Sequence, residues 1–171
     1  MSIRKGDAVK KDPLVVNFNG TSAQLTDAKF AFDLNSDGKT DKVSFVGAGS
    51  GFLALDKNGN GVIDNGSELF GTQSGNGFAD LSAYDSDGNK WIDENDAVYS
   101  KLQIWSKDAG GGDHLSTLAQ LNVGALYLGN VATPFDLKNR ANDLQGQVRS
   151  SGVFLHEDGS AGTLQQVDLV V

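Results

Sequence analysis

Asp85, Asp87, Asn89, Asp93 and Asp96 place oxygen-bearing side chains at positions 1, 3, 5, 9 and 12 of one short stretch, Asp85-Ser-Asp-Gly-Asn-Lys-Trp-Ile-Asp-Glu-Asn-Asp96. A hard cation such as calcium takes about six to eight oxygens, and a tight loop supplies them when ligands alternate along a chain that turns sharply midway. The carbonyl of Trp91 completes the set at position 7. Two residues depart from the usual pattern. Lys90 stands at position 6, where glycine normally takes a positive φ. Asp96 stands at position 12, one methylene shorter than a bidentate glutamate.

The same alternation occurs twice earlier. Asp33, Asn35, Asp37 and Asp41 occupy positions 1, 3, 5 and 9 of a first loop, with Lys39 at position 7 and Gly38 at 6, but position 12 is Ser44. Asp56, Asn58, Asn60 and Asp64 do so in a second loop, with Val62 at position 7, Gly61 at 6 and Glu68 one place late, at 13. All of these are candidate metal ligands in EF-hand-like loops. The second and third loops both carry an isoleucine at position 8, Ile63 and Ile92, so they read as a divergent repeat paired through a short β-bridge.

The elements that must position these loops follow from periodicity. Lys29–Asp33 and Lys42–Val46 alternate apolar and polar residues and read as half-buried strands flanking the first loop, a strand-loop-strand hairpin. Leu14–Phe18, Gly51–Leu55, Gln103–Trp105 and Val123–Leu128 read as further strands. Phe78, Leu81 and Tyr84 predict a short helix into the third loop, and Glu94 to Leu102 a second helix out of it. Leu115, Leu118 and Leu121 predict a helical turn. Ala132 to Asp143 reads as a surface excursion, and Arg149–His156 with Gly162–Val171 as a closing hairpin about Asp158-Gly159. The expected fold class is α+β, one domain over 13–171 preceded by a polar tail over 1–12.

The chain has 171 residues, 39% hydrophobic, no cysteine, and a net charge of −8. Of its 22 acids, 12 lie between Asp33 and Asp96 against four of the 14 basic residues, which leaves ten of each sign elsewhere. The excess charge therefore sits on the loop-bearing span, and no basic face is available for nucleic acid. No apolar run is long enough for a membrane span, and thiolate metal sites are excluded. His114 and His156 belong to no hydrolase motif. A carbohydrate-binding or adhesion module would need Trp91 and Trp105 exposed, whereas both neighbour periodic apolar residues and read as core. One methionine is too few for a calmodulin-like target groove.

With these residues laid out, the chain from Asp12 onward resembles the calcium-dependent self-processing module of bacterial RTX (repeat-in-toxin) proteins. The most specific part is Gly51-Phe-Leu-Ala-Leu-Asp-Lys-Asn-Gly-Asn-Gly-Val-Ile-Asp-Asn-Gly-Ser-Glu-Leu-Phe-Gly71. The resemblance implies a calcium-bound module of a larger, extracellular or cell-surface protein, with a cytoplasmic location left open. It also implies cleavage of the Asp12-Pro13 bond, with an aspartyl anhydride that a lysine amine can capture. Asp12 can attack its own main-chain carbonyl through a five-membered ring, and the prolyl amide has no N–H for the competing succinimide. In the family an acidic loop follows Asp-Pro-Leu directly; here Asn17-Phe-Asn-Gly-Thr21 stands in its place.

Overall fold

Consecutive buried residues suit a strand covered on both faces, and Leu14–Asn17 is buried throughout. It forms β1, at the middle of the structure, a computed structural model that describes residues 13–19, 25–34, 36–47, 49–72, 74–107, 112–138, 141–142 and 144–169. Asp12, Asn35 and Val171 lie outside the described residues. The remaining strands are β2 (Leu25–Phe32), β3 (Asp41–Val46), β4 (Gly51–Leu55), β5 (Trp91–Ile92), β6 (Leu102–Lys107), β7 (Asp113–Thr117), β8 (Val123–Tyr127), β9 (Val131–Lys138), β10 (Leu144–His156) and β11 (Ala161–Leu169). Nine of them form one antiparallel sheet in the order β5-β8-β10-β11-β1-β4-β6-β7, with β9 also on β10. This sheet curls into a half-barrel. β2 and β3 form a separate hairpin.

The α+β expectation is therefore corrected to mostly β. Among the described residues the only α-helix is α1 (Gly77–Ser82), beside the 3-10 turns Gly66–Glu68 and Ala119–Leu121. α1 is the helix expected before the third loop: Asn76 caps it by accepting the Ala79 N–H, and Phe78 and Leu81 are buried. The helix expected over Glu94 to Leu102 is a series of turns. Asp93 and Asp96 cap its start reciprocally, Asp96 accepting the Asp93 N–H and Asp93 the Asn95 N–H, but the main chain beyond them closes separate short turns, Tyr99 N–H to Asp96 O and Lys101 N–H to Val98 O. The 115–121 segment is split. Strand pairing of Leu115 with Trp105 outweighs the helical leucine spacing, and only Ala119–Leu121 turns. The excursion from Ala132 is largely the strand β9, which pairs with β10.

Two apolar clusters form the core. Alternation along β1 assigns Val15 to one and Leu14 and Val16 to the other. The first is closed by the β2–β3 hairpin, whose Phe30, Phe32 and Phe45 rings lie 5.7, 5.0 and 5.1 Å from the ring of Trp105. The second takes in α1, Phe70, Ile92 and Val98. Trp105 is thus core, and half-buried Trp91 packs against Tyr127 with ring centroids 4.8 Å apart and planes tilted by 45°. A polar seam is satisfied internally: Ser50 Oγ donates to Asn17 Oδ1 at 2.6 Å, and Asn17 Nδ2 donates to Thr163 and Gln165.

Candidate metal centre

All three acidic stretches close on themselves in one way. The position-1 carboxylate accepts the N–H of position 6 in each: Asp33 from Gly38 at 2.9 Å, Asp56 from Gly61 at 2.7 Å, and Asp85 from Lys90 at 2.8 Å. The position-5 side chain accepts the N–H of position 7: Asp37 from Lys39, Asn60 from Val62, and Asn89 from Trp91. Position 6 is left-handed throughout, with φ of 87° at Gly38, 82° at Gly61 and 70° at Lys90. Lys90 carries a Cβ into that region at about 1–2 kcal/mol. Lys90→Gly should relieve that strain, offset by a cost of about 0.4–1 kcal/mol from the greater entropy of the unfolded chain. The expected outcome is a slightly higher urea midpoint, and a lower one would count against this reading of the turn.

The far ends of the second and third loops are closed by equivalent clamps. Glu68 accepts the N–H of Lys57 at 2.8 Å and of Asp64 at 2.7 Å, positions 2 and 9 of its loop. Asp96 accepts the N–H of Ser86 at 2.7 Å and of Asp93 at 3.0 Å, again positions 2 and 9. Both carboxylates are buried, 4% and 2% exposed. The extra residue before Glu68 and its extra methylene compensate each other, so the two sequence irregularities give one geometry.

The third loop brings three expected residues together: Asp85, Asp87 and Asp96 each offer an oxygen, all within 4.8 Å of one another. Asp85 Oδ1 is buried there without a hydrogen-bond partner. Partial loss of solvent raises the Asp87 pKa above its ordinary 3.8 and the Asn89 N–H opposes it, while sharing a proton with the neighbouring Asp85 carboxylate and, less, repulsion from Asp96 and Asp85 add to the rise. An orphaned buried oxygen facing two further carboxylates fits a hard cation of the oxygen-ligand class. Asp93 is not in that group and accepts the Asn95 N–H, and Asn89 is exposed with its side chain accepting the Trp91 N–H.

In the second loop Asp64 is engaged by amide donors, Asn58 Nδ2 at 2.7 Å and Asn60 Nδ2 at 2.9 Å, and Val62 is exposed. In the first loop Asp33, Asp37 and Lys39 take part in the turn and Asp41 opens β3. Pairing differs from the expected repeat. Asn65 of the second loop bridges in parallel with Asp33 of the first, Gly66 N–H donating to Asp33 O at 2.8 Å. Ser36 Oγ donates to Asn65 Oδ1 at 3.0 Å and accepts the Ser67 N–H at 2.9 Å. Ile63 packs in the first cluster, whereas Ile92 pairs with Leu126 in the second. Ser36 and Asn65 carry no signal of this role except their place beside the ligand positions.

Residues 14–170 match the model of the SPM domain. In an alignment of length 141 that takes in 73% of the chain, the sequence is 34% identical to the iron-regulated protein FrpA of Neisseria meningitidis serogroup C, and the chain spans 13% of that protein's length. Among the described residues no helix is long and apolar enough to cross a membrane.

Proposed function

Because this chain belongs to the SPM domain family, we propose that it is a calcium-binding module in which metal draws the acidic loops together and stabilises the fold. The observation that carries this reading is Asp85 Oδ1, buried and unpartnered beside Asp87 and Asp96. Close carboxylates repel, and a cation that removes the repulsion couples its binding to folding. Residues 13–171 act as the module of a longer parent chain, outside the cell or at its surface. Calorimetric titration with calcium, and with magnesium for comparison, should give calcium affinities of about 10⁻⁴ to 10⁻³ M. No calcium heat would remove the proposal.

The raised Asp87 pKa sets the pH arm of the same titration. In the metal-free chain its contribution to stability is full below 3.8 and is lost as pH rises through the raised value. In the metal-bound chain the sign reverses, because proton and calcium compete for one carboxylate. Affinity should therefore fall as the buffer is acidified toward that range.

A second reading, self-cleavage at Asp12-Pro13, is favoured by the placement of Pro13. Its carbonyl accepts the Val167 N–H at 3.1 Å, and the Leu14 N–H donates to Phe70 O at 3.0 Å, just beyond the second loop. The leaving side of the bond is thus fixed in the sheet, which favours attack by Asp12 on its own carbonyl. Prolonged millimolar calcium should yield the 13–171 fragment by mass, and Asp12→Ala should prevent it. An intact mass would discard this reading while leaving calcium binding untouched.

A further inference from the structure

Five Asn-Gly dipeptides occur in the chain, and an asparagine followed by glycine is open to attack on its side-chain carbonyl by the next main-chain nitrogen. We propose that Asn58-Gly59 and Asn60-Gly61 are modification sites at which the second loop loses side-chain amides and acquires carboxylates. The glycine nitrogen bonds to Cγ, the Cγ–Nδ2 bond breaks, and ammonia leaves carrying the glycine N–H proton. Water then opens the five-membered succinimide at one carbonyl or the other, giving aspartate or isoaspartate. No catalyst or oxidant enters the balance.

The structure separates these two sites from the others. Asn58 and Asn60 are exposed, and a Cβ at Gly59 or Gly61 would meet nothing within 4 Å. Their nitrogens are held by one side chain: Asp56 Oδ1 accepts the Gly59 N–H at 3.0 Å and Asp56 Oδ2 the Gly61 N–H at 2.7 Å. Gly66 and Gly77 are held in the core. The Gly66 N–H donates to the main-chain carbonyl of Asp33, and a Cβ there would meet Leu34 O at 1.6 Å. The Gly77 N–H donates to Gln166 Oε1 at 2.8 Å, and a Cβ there would meet Leu14 at 2.5 Å. Gly20, the partner of Asn19, lies outside the described residues. Opening the exposed turn breaks the contacts of Asp56 to Gly59, Asn60 and Gly61 and those of the Asn58 and Asn60 amides to Asp64, all at the surface, whereas freeing Gly66 or Gly77 requires a core element to move.

The consequence falls on positions 3 and 5, where a cation loop wants oxygen and charge. Aspartate there would bring the second loop to the charge of the third at position 3 and beyond it at position 5. Isoaspartate would lengthen the main chain and spoil the alternation. The second loop would therefore exist in forms of different charge, set by how long it has stood open.

The test is peptide mass mapping of the full, metal-free chain during incubation at mildly alkaline pH. Amide loss at Asn58 and Asn60 should run about tenfold or more faster than at Asn65 and Asn76, which convert only through the rarer openings of the core. Equal rates at the four sites, faster loss at Asn65 or Asn76, or no loss at Asn58 and Asn60 would each overturn the proposal. Asp56→Ala should hasten loss at Asn58 and Asn60 alone, with Asn65 and Asn76 in the same digest as the folding control. Slower loss at Asn58 and Asn60 in that variant would overturn the role given to Asp56.

Discussion

Asp96→Ala should be the most damaging single change in the third loop, and its cost should grow when calcium is present. The carboxylate is 2% exposed and accepts two main-chain N–H groups, from Ser86 and Asp93. Hydrogen bonds to a charged acceptor contribute about 1.5–3 kcal/mol each, partly offset here by removing a repulsive neighbour of Asp85, so the metal-free loss should be about 2–4 kcal/mol. Calcium at about 100 times its dissociation constant adds about 2.7 kcal/mol to the parent protein, and the variant should forfeit most of that as well. Asp96→Asn separates the two effects, since its one oxygen can keep one of the bonds while the charge is lost. Urea unfolding with and without calcium reads both quantities. If calcium stabilises Asp96→Ala as much as the parent, the third loop is not where the metal acts.

Local features were legible because the physics that makes them is local. Alternation at Lys29–Asp33 and Lys42–Val46 foretold β2 and β3, and glycine at positions 38 and 61 foretold the positive φ found there. Lys90 shows that the turn is set by the loop's hydrogen bonds rather than by residue preference, since it takes the same conformation at a cost. The clamp was half legible: Glu68 and Asp96 stood out, but their shared reach to positions 2 and 9 needs three-dimensional placement. Pairing was not legible, because a bridge between Asp33 and Asn65 depends on how β4 and the β2–β3 hairpin meet across the first cluster. Matching isoleucines at Ile63 and Ile92 misled for the same reason. Each is apolar to serve its own side of the sheet. Leucine spacing at 115, 118 and 121 fits a helix equally well, and only the presence of β6 as a partner makes 113–117 a strand.

Gly66→Ala should have the largest effect on the join between the hairpin and the main sheet. A Cβ at this position would lie 1.6 Å from Leu34 O and 2.5 Å from Leu34 C, both main-chain atoms that no rotamer change can move. Leu34 is itself 1% exposed in the first cluster, so yielding there pulls a buried side chain. Yielding at Gly66 instead breaks its N–H bond to Asp33 O and disturbs the Thr72 hydroxyl bond to Gly66 O, together with the Ser36–Asn65 contact beside it. Either route places the change among those costing about 4 kcal/mol or more. Gly88→Ala is the matched control: its φ is 69°, but a Cβ there meets nothing within 4 Å, so only left-handed strain of about 1–2 kcal/mol is added. In a Trp91→Phe background, fluorescence reports Trp105, which lies against Phe30, Phe32 and Phe45 of the hairpin. Gly66→Ala should lower the unfolding midpoint sharply and shift that emission toward the solvent-exposed form, whereas Gly88→Ala should leave the emission unchanged. A Gly66→Ala protein within about 0.5 kcal/mol of the parent, the range of an ordinary surface change, would mean that the bridge between the first and second loops does not hold the hairpin in place.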